Sequence, residues 1–91
     1  MKNRYFVEMT DTYGGEANYC WVNRFIVSAL TPRGAMRRVC NRTGDKVYCV
    51  DRYNDPQTWD SVIGCIRYFV EWIDDERVKE LQDNYSRIEV L

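Results

Sequence analysis

The residues best suited to chemistry lie together in residues 11–22, which hold two carboxylates, two adjacent glycines, an amide and two tyrosines. Asp11 and Glu16 are the residue type that hydrolytic enzymes pair as acid and base. Both fall in a turn, and the neighbouring sequence offers no apolar pocket of the kind that makes a carboxyl a general acid. Gly14 and Gly15 lack the later glycine and the following helix of a phosphate-binding loop. The segment therefore predicts no catalytic site.

The same segment is longer than an ordinary hairpin turn, which needs about two to five residues. One interpretation is structural, because Asp, Gly and Asn reach positive φ and satisfy backbone groups in long loops. The other is functional: Tyr13, Glu16 and Asn18 form a recognition loop that meets a partner. The residues alone leave both interpretations open.

The rest of the chain offers no catalytic or metal-binding pattern. It has no histidine, and its four cysteines are widely spaced without a C-x-x-C pair. A zinc or iron–sulfur site would require all four to converge. We therefore predict no enzymatic activity, no metal and no cofactor, with four buried, reduced thiols at Cys20, Cys40, Cys49 and Cys65.

Two β-rich segments flank the loop and must position it. Residues 4–10 and 18–28 are rich in aromatic and β-branched side chains, so we predict an antiparallel hairpin. Side-chain alternation puts Tyr5 and Val7 on one face and Phe6 on the other. Residues 45–53 are predicted to form a third strand.

Two helices have clear boundary signals. Thr31 suits an N-cap, Pro32 the first helical position, and Gly44 the left-handed position after the last turn. The acidic residues 74–76 favour the start of a second helix, from residue 75 to about residue 85. The first helix has an apolar arc that faces the sheet, made of Ala35, Met36, Val39 and Cys40.

Residues 62–73 fit two patterns. Their apolar side chains form a helical stripe with Trp59, but they also alternate as a strand does, and we favour the strand. Residues 88–91 are either a short edge strand or a docked tail. The prediction is one α+β domain over residues 1–91, in the order ββαββα, with an antiparallel sheet and helices on one face.

The small net charge of −1 conceals a strong asymmetry. Residues 19–44 hold no acid but five arginines, namely Arg24, Arg33, Arg37, Arg38 and Arg42. On the first helix, Arg33, Arg37 and Arg38 form either a solvated face or a binding surface for phosphates or an acidic protein. The sequence pI of about 5.4 argues against nucleic acid.

The acidic residues Asp74, Asp75 and Glu76 allow the opposite idea. An acidic helix face can imitate nucleic acid phosphates and occupy a basic groove of another protein, although such a face is also typical of a capped, solvated helix.

No apolar leader follows Met1, and no apolar run is long enough to span a membrane. We therefore expect a cytoplasmic protein with no membrane partner.

Residues 11–22 (DTYGGEANYCWV) resemble a group of small phage-encoded proteins of uncharacterised function. The resemblance extends more weakly to the arginine-rich helix and to residues 62–66. It implies a host or defence protein as partner, as for anti-CRISPR inhibitors. The resulting hypothesis is a non-enzymatic phage accessory protein that inhibits a bacterial defence complex by steric or charge-mimicking occlusion in the host cytoplasm. The alternative is a nucleic-acid-binding module that uses the arginine face, and the oligomeric state stays open.

Overall fold

Within the residues that the computed structural model describes (2–11, 21–54, 57–62, 64–85 and 87–91), the chain forms six strands and two helices. In chain order they are β1 (Asn3–Asp11), β2 (Trp21–Ala29), α1 (Pro32–Thr43), β3 (Val47–Asp51), β4 (Gln57–Ser61), β5 (Ile66–Ile73), α2 (Asp75–Asn84) and β6 (Glu89–Val90). The α+β class is confirmed. The predicted order ββαββα is wrong, since β4 and β6 extend it to ββαβββαβ.

The sheet is mixed, with strand order β3-β4-β5-β1-β2-β6. β1 lies between β5 and β2 and is antiparallel to both. β6 is parallel to β2, with Ile26 opposite Val90, so the prediction of a purely antiparallel sheet is wrong. The reason is α2, which returns the chain across the sheet so that β6 runs in the same direction as β5 and β2.

The two helices pack on opposite faces of the sheet, which corrects the prediction that they share one. Tyr5 and Val7 of β1 belong to a buried cluster with Met36 of α1, whereas Phe6 belongs to a second cluster with Leu81 of α2. Successive side chains of a strand point to opposite faces. Because β1 is apolar on both, each face requires its own cover.

The ambiguous segment 62–73 contains a strand, as favoured, but the strand begins only at Ile66. Before it lies β4, which pairs with both β3 and β5 and was not predicted. Its sequence QTWDS is mostly polar, and only Trp59 and Ser61 are buried. The strand exists because its neighbours on both sides satisfy its backbone groups.

The boundary signals of α1 are confirmed. The Thr31 hydroxyl accepts a hydrogen bond from the Gly34 backbone N–H at 3.0 Å. Gly44 follows the last turn at φ 79°, where its N–H donates to the Cys40 carbonyl. These local contacts determine where α1 begins and ends, and hence which of its side chains lie above the sheet.

Candidate functional site

Helix α1 presents three exposed arginines, which we call the arginine surface: Arg33, Arg37 and Arg38. Their position follows from the packing of the opposite side of the helix, where Ala35, Met36 and Val39 are buried against the sheet. At 3.6 residues per turn, Arg33 and Arg38 lie about 140° apart around the helix axis, with Arg37 between them. The surface is therefore a broad arc rather than a tight cluster.

The charge environment separates these arginines from two others in the same part of the sequence. Arg42 forms a 2.8 Å ion pair with Glu89 of β6. Arg24 pairs with Glu8 at 3.1 Å, and its guanidinium lies 4.2 Å from the ring centroid of Tyr85. Across the described residues, no ion pair involves a side chain of the arginine surface.

At the Arg33 end of α1, a cavity of about 210 Å³ separates the first helical turn from the β3–β4 hairpin. We call it the α1–hairpin cavity. Its floor includes Trp59 and Cys49, which are cross-strand partners in β4 and β3. Its remaining lining residues are Thr31, Pro32, Arg33, Arg52 and Gln57.

Two of these lining residues, Arg52 and Trp59, were missed as functional candidates. Arg52 lies just after β3 and is exposed, again without an ion pair within the described residues. Asn54, Asp55 and Pro56 are residue types that favour turns, so the sequence indicates a loop after β3. No pattern in the sequence indicates that this loop lies beside the start of α1.

Asp45, which follows α1, accepts hydrogen bonds from three groups. Its carboxylate oxygens accept from the Tyr68 hydroxyl, the Ser61 hydroxyl and the Lys46 backbone N–H, each with a donor–acceptor distance of 2.8 Å. Burial, and then the hydrogen bond to Asp45, raise the pKa of the Tyr68 phenol well above its usual value. Because the phenol stays neutral and its donor is matched, this arrangement ties the end of α1 to β4 and β5.

The acidic residues at the start of α2 are in part structural. The Asp74 carboxylate caps the helix by accepting from the Arg77 backbone N–H at 2.8 Å. Asp75 and Glu76 are exposed in the first turn, where the helix dipole interacts favourably with negative charge. Further along, Arg77 forms a 2.8 Å ion pair with Glu80, so base and acid alternate here.

The predicted recognition loop, with Tyr13, Glu16 and Asn18, lies outside the described residues. The strands on either side of it are described, and β1 pairs with β2 from Asn3 opposite Ala29 to Thr10 opposite Trp21. The predicted hairpin is thereby confirmed. The role of its loop stays a prediction.

No protein-family model matches this chain, and no curated protein or solved structure matches it either. The resemblance of residues 11–22 to small phage proteins therefore stays a prediction.

Three of the four cysteines are less buried than predicted, and the fourth, Cys20, lies outside the described residues. Cys40 and Cys49 are half-buried free thiols, and Cys65 is an exposed one, because the turn before β5 leaves it in solvent. Burial, and then the charge of Asp45, raise the pKa of the Cys40 thiol, which reduces its reactive thiolate fraction.

The described part of the chain holds no group of three or more residues suited to a metal ion. Neither of its two helices has the length and apolar character of a bilayer-crossing helix.

Proposed function

We propose that this protein is a non-enzymatic binding protein whose arginine surface docks onto an acidic surface of a partner protein. The main support is the exposure of Arg33, Arg37 and Arg38 with no ion-pair partner among the described residues. Each guanidinium keeps five donors for carboxylates. Since the other side of α1 is packed on the sheet, the helix backbone loses little freedom on binding.

A protein partner suits the charge of the chain better than a nucleic acid does. The net charge is −1, so much of the surface would repel a polyphosphate. Three guanidiniums also offer few phosphate contacts, and such contacts supply essentially all of the sequence-independent affinity for nucleic acid. An acidic patch on a protein needs only a few such pairs, and complementary charge also speeds the encounter.

The resemblance of residues 11–22 to small phage proteins supports a bacterial defence complex as the partner and steric occlusion as the mode of inhibition. Charge mimicry by the start of α2 has less support. Asp74 is occupied as the helix cap, and Arg77 and Lys79 interrupt the acidic series. The arginine surface is therefore the face we assign to the partner.

The test is affinity capture from bacterial host lysate, with and without nuclease, using three forms of the tagged protein. The first is the natural chain and the second is Arg37→Glu with Arg38→Glu. The third, Lys79→Glu with Arg87→Glu, makes the same charge change at exposed sites away from α1. We expect the natural chain and the control to retain one partner protein in stoichiometric amount. The α1 variant should retain at least about tenfold less of that protein.

Equal recovery with all three forms would contradict the assignment of the arginine surface. Recovery that depends on nucleic acid would instead favour the alternative ligand. In that case duplex affinity should fall with salt at a logarithmic slope of about −2.7, which is the value for three phosphate contacts.

A further inference from the structure

The α1–hairpin cavity lies at one end of the arginine surface and shares Arg33 with it. Arg52, from the segment that follows β3, lines the same cavity. Two arginines thus border one small space, although they are 19 positions apart in the chain. α1 packs on β1, β2 and β5, and this packing places its first turn beside β3 and β4.

Three side chains that line the cavity, Thr31, Gln57 and Trp59, already have hydrogen-bond partners within the protein. The Thr31 hydroxyl accepts from Gly34, and the Gln57 side chain accepts from the Trp59 indole N–H at 3.2 Å. Gln57 also donates to the Arg52 carbonyl at 3.1 Å. Among the described residues, neither Arg33 nor Arg52 has an ion-pair partner, so the unmet capacity of the cavity is cationic.

The carboxylate next to Arg52 in the sequence does not meet that capacity. Asp51, directly before Arg52, accepts from the Tyr53 backbone N–H and the Asn54 side chain within the hairpin connection. Its hydrogen bonds stabilise the loop. Among the described residues, no carboxylate pairs with the two guanidiniums, and they remain available for an anion of the partner.

The floor and the size of the cavity narrow the choice of anion. The Trp59 side chain is 9% exposed and offers an apolar surface beside the charges, against which methylene groups can pack. A volume of about 210 Å³ is below the range of about 300–1,000 Å³ typical of pockets for whole small molecules. It suits a single side chain with a carboxylate end.

We infer that the α1–hairpin cavity anchors the acidic partner by taking one Asp or Glu side chain between Arg33 and Arg52. The inference rests on the proposed function and specifies its central contact. Guanidinium–carboxylate pairs are short and charge-assisted, and burial next to an indole strengthens them. The remaining arginine surface then contributes complementary charge around this anchor.

The experiment is a titration of the ¹⁵N-labelled protein with an octa-glutamate peptide, followed by NMR. The Trp59 indole N–H signal, assigned through Trp59→Phe, reports on the cavity. We expect this signal to shift on binding and Arg52→Ala to weaken peptide affinity about tenfold. Arg52→Lys should recover only part of the affinity, because it restores the charge without the planar fork.

Arg87→Ala is the matched control, since it removes the same charge at an exposed site outside the cavity. We expect it to change affinity by less than about twofold at physiological salt. An equal loss for Arg52→Ala and Arg87→Ala would overturn the anchor. The anchor would also be overturned if acetate or phosphate shifted the Trp59 signal as much as the peptide does. The comparison is made at equal concentrations of anionic groups, and an equal shift would mean that the cavity binds any small anion.

The two proposals can fail separately. If Arg37→Glu with Arg38→Glu abolishes peptide binding while Arg52→Ala has no effect, the anchor is wrong and the arginine surface stands. If Arg52→Ala weakens binding while the α1 double variant does not, the cavity binds carboxylates but the proposed surface is wrong. Circular dichroism checks the fold of each variant. We expect no change in the fold, because the substituted positions are exposed.

Discussion

The two faces of the sheet are built differently. Under α1, twelve of the described residues form one buried cluster that extends from Ala29 across to Trp59. Under α2 the corresponding cluster has four buried residues, and beyond it the face carries the ion pairs Glu8–Arg24 and Asp60–Arg67. The α1 face therefore supplies most of the hydrophobic stabilisation. The arginine surface consequently sits on the better anchored of the two helices.

The largest expected effect comes from removing an aromatic side chain on the α1 face. Phe25 of β2 is fully buried in the large cluster. Phe25→Ala should lower the free energy of unfolding by about 3–5 kcal/mol, through lost burial and an unfilled cavity. Urea denaturation measures the change. Phe25→Leu, which keeps most of the volume, should cost about 1 kcal/mol and remain folded; equal costs for the two variants would contradict tight packing here.

A matched pair of helix substitutions tests the comparison directly. Met36 of α1 and Leu81 of α2 are each 1% exposed. Met36→Ala should cost about 4 kcal/mol, whereas Leu81→Ala should cost about 2 kcal/mol, because α2 has one buried residue and can settle into the space. Urea denaturation of both variants gives the two values.

Hydrogen exchange provides the control for this pair. In Leu81→Ala, the α2 amides should lose protection while those of β1 and β2 keep theirs, as expected for local opening. A uniform loss of protection, or a larger cost at Leu81 than at Met36, would show that α2 is as firmly attached as α1.

A smaller effect is expected at Asp45. Asp45→Asn leaves one side-chain acceptor for two hydroxyls, those of Tyr68 and Ser61, and should cost about 1–2 kcal/mol. The pKa of Tyr68 should fall part of the way toward its usual value, because burial, the larger cause of its rise, remains while the effect of the Asp45 carboxylate is lost. Urea denaturation and tyrosinate absorbance during alkaline titration measure the two changes.

Asp83→Asn is the control for Asp45→Asn. Asp83 is exposed on α2, and its substitution should change the free energy of unfolding by less than about 0.5 kcal/mol. If the two variants were equally stable, the Asp45 hydrogen bonds would contribute nothing beyond those to water.

The smallest expected effect is at the ion pair on the open part of the α2 face. Arg67 and Asp60 form two hydrogen bonds, at 2.7 and 3.2 Å, and their side chains are 26% and 19% exposed. A double-mutant cycle with Ala should give a coupling of about 1 kcal/mol that falls with salt. The more exposed Arg77–Glu80 pair should give about 0.3 kcal/mol; the reverse ranking would contradict the role of burial.

Local signals predicted some elements well. The cap at Thr31, Pro32 at the first helical position and Gly44 after the last turn each act within a few residues, so they define α1 without the rest of the fold. The same holds for the alternation in β1. The exposure of the arginine surface also follows from the apolar arc of the helix.

Other features required contacts between distant segments. QTWDS has no strong strand pattern and becomes β4 because β3 and β5 flank it. Glu89 and Val90 form β6 because α2 delivers them to the edge of β2. Arg52 and Trp59 lie beside Arg33 because β4 pairs with β3 and with β5.

By itself, the sequence determined the ends of the helices, the two-sided apolar character of β1 and the exposed arginines. These depend on short-range capping, side-chain alternation and helical periodicity, all of which act within a single element. The tertiary structure alone decided the opposite placement of the helices, the parallel edge strand and the α1–hairpin cavity. These depend on which separate segments share backbone hydrogen bonds and burial, and no local pattern specifies that choice.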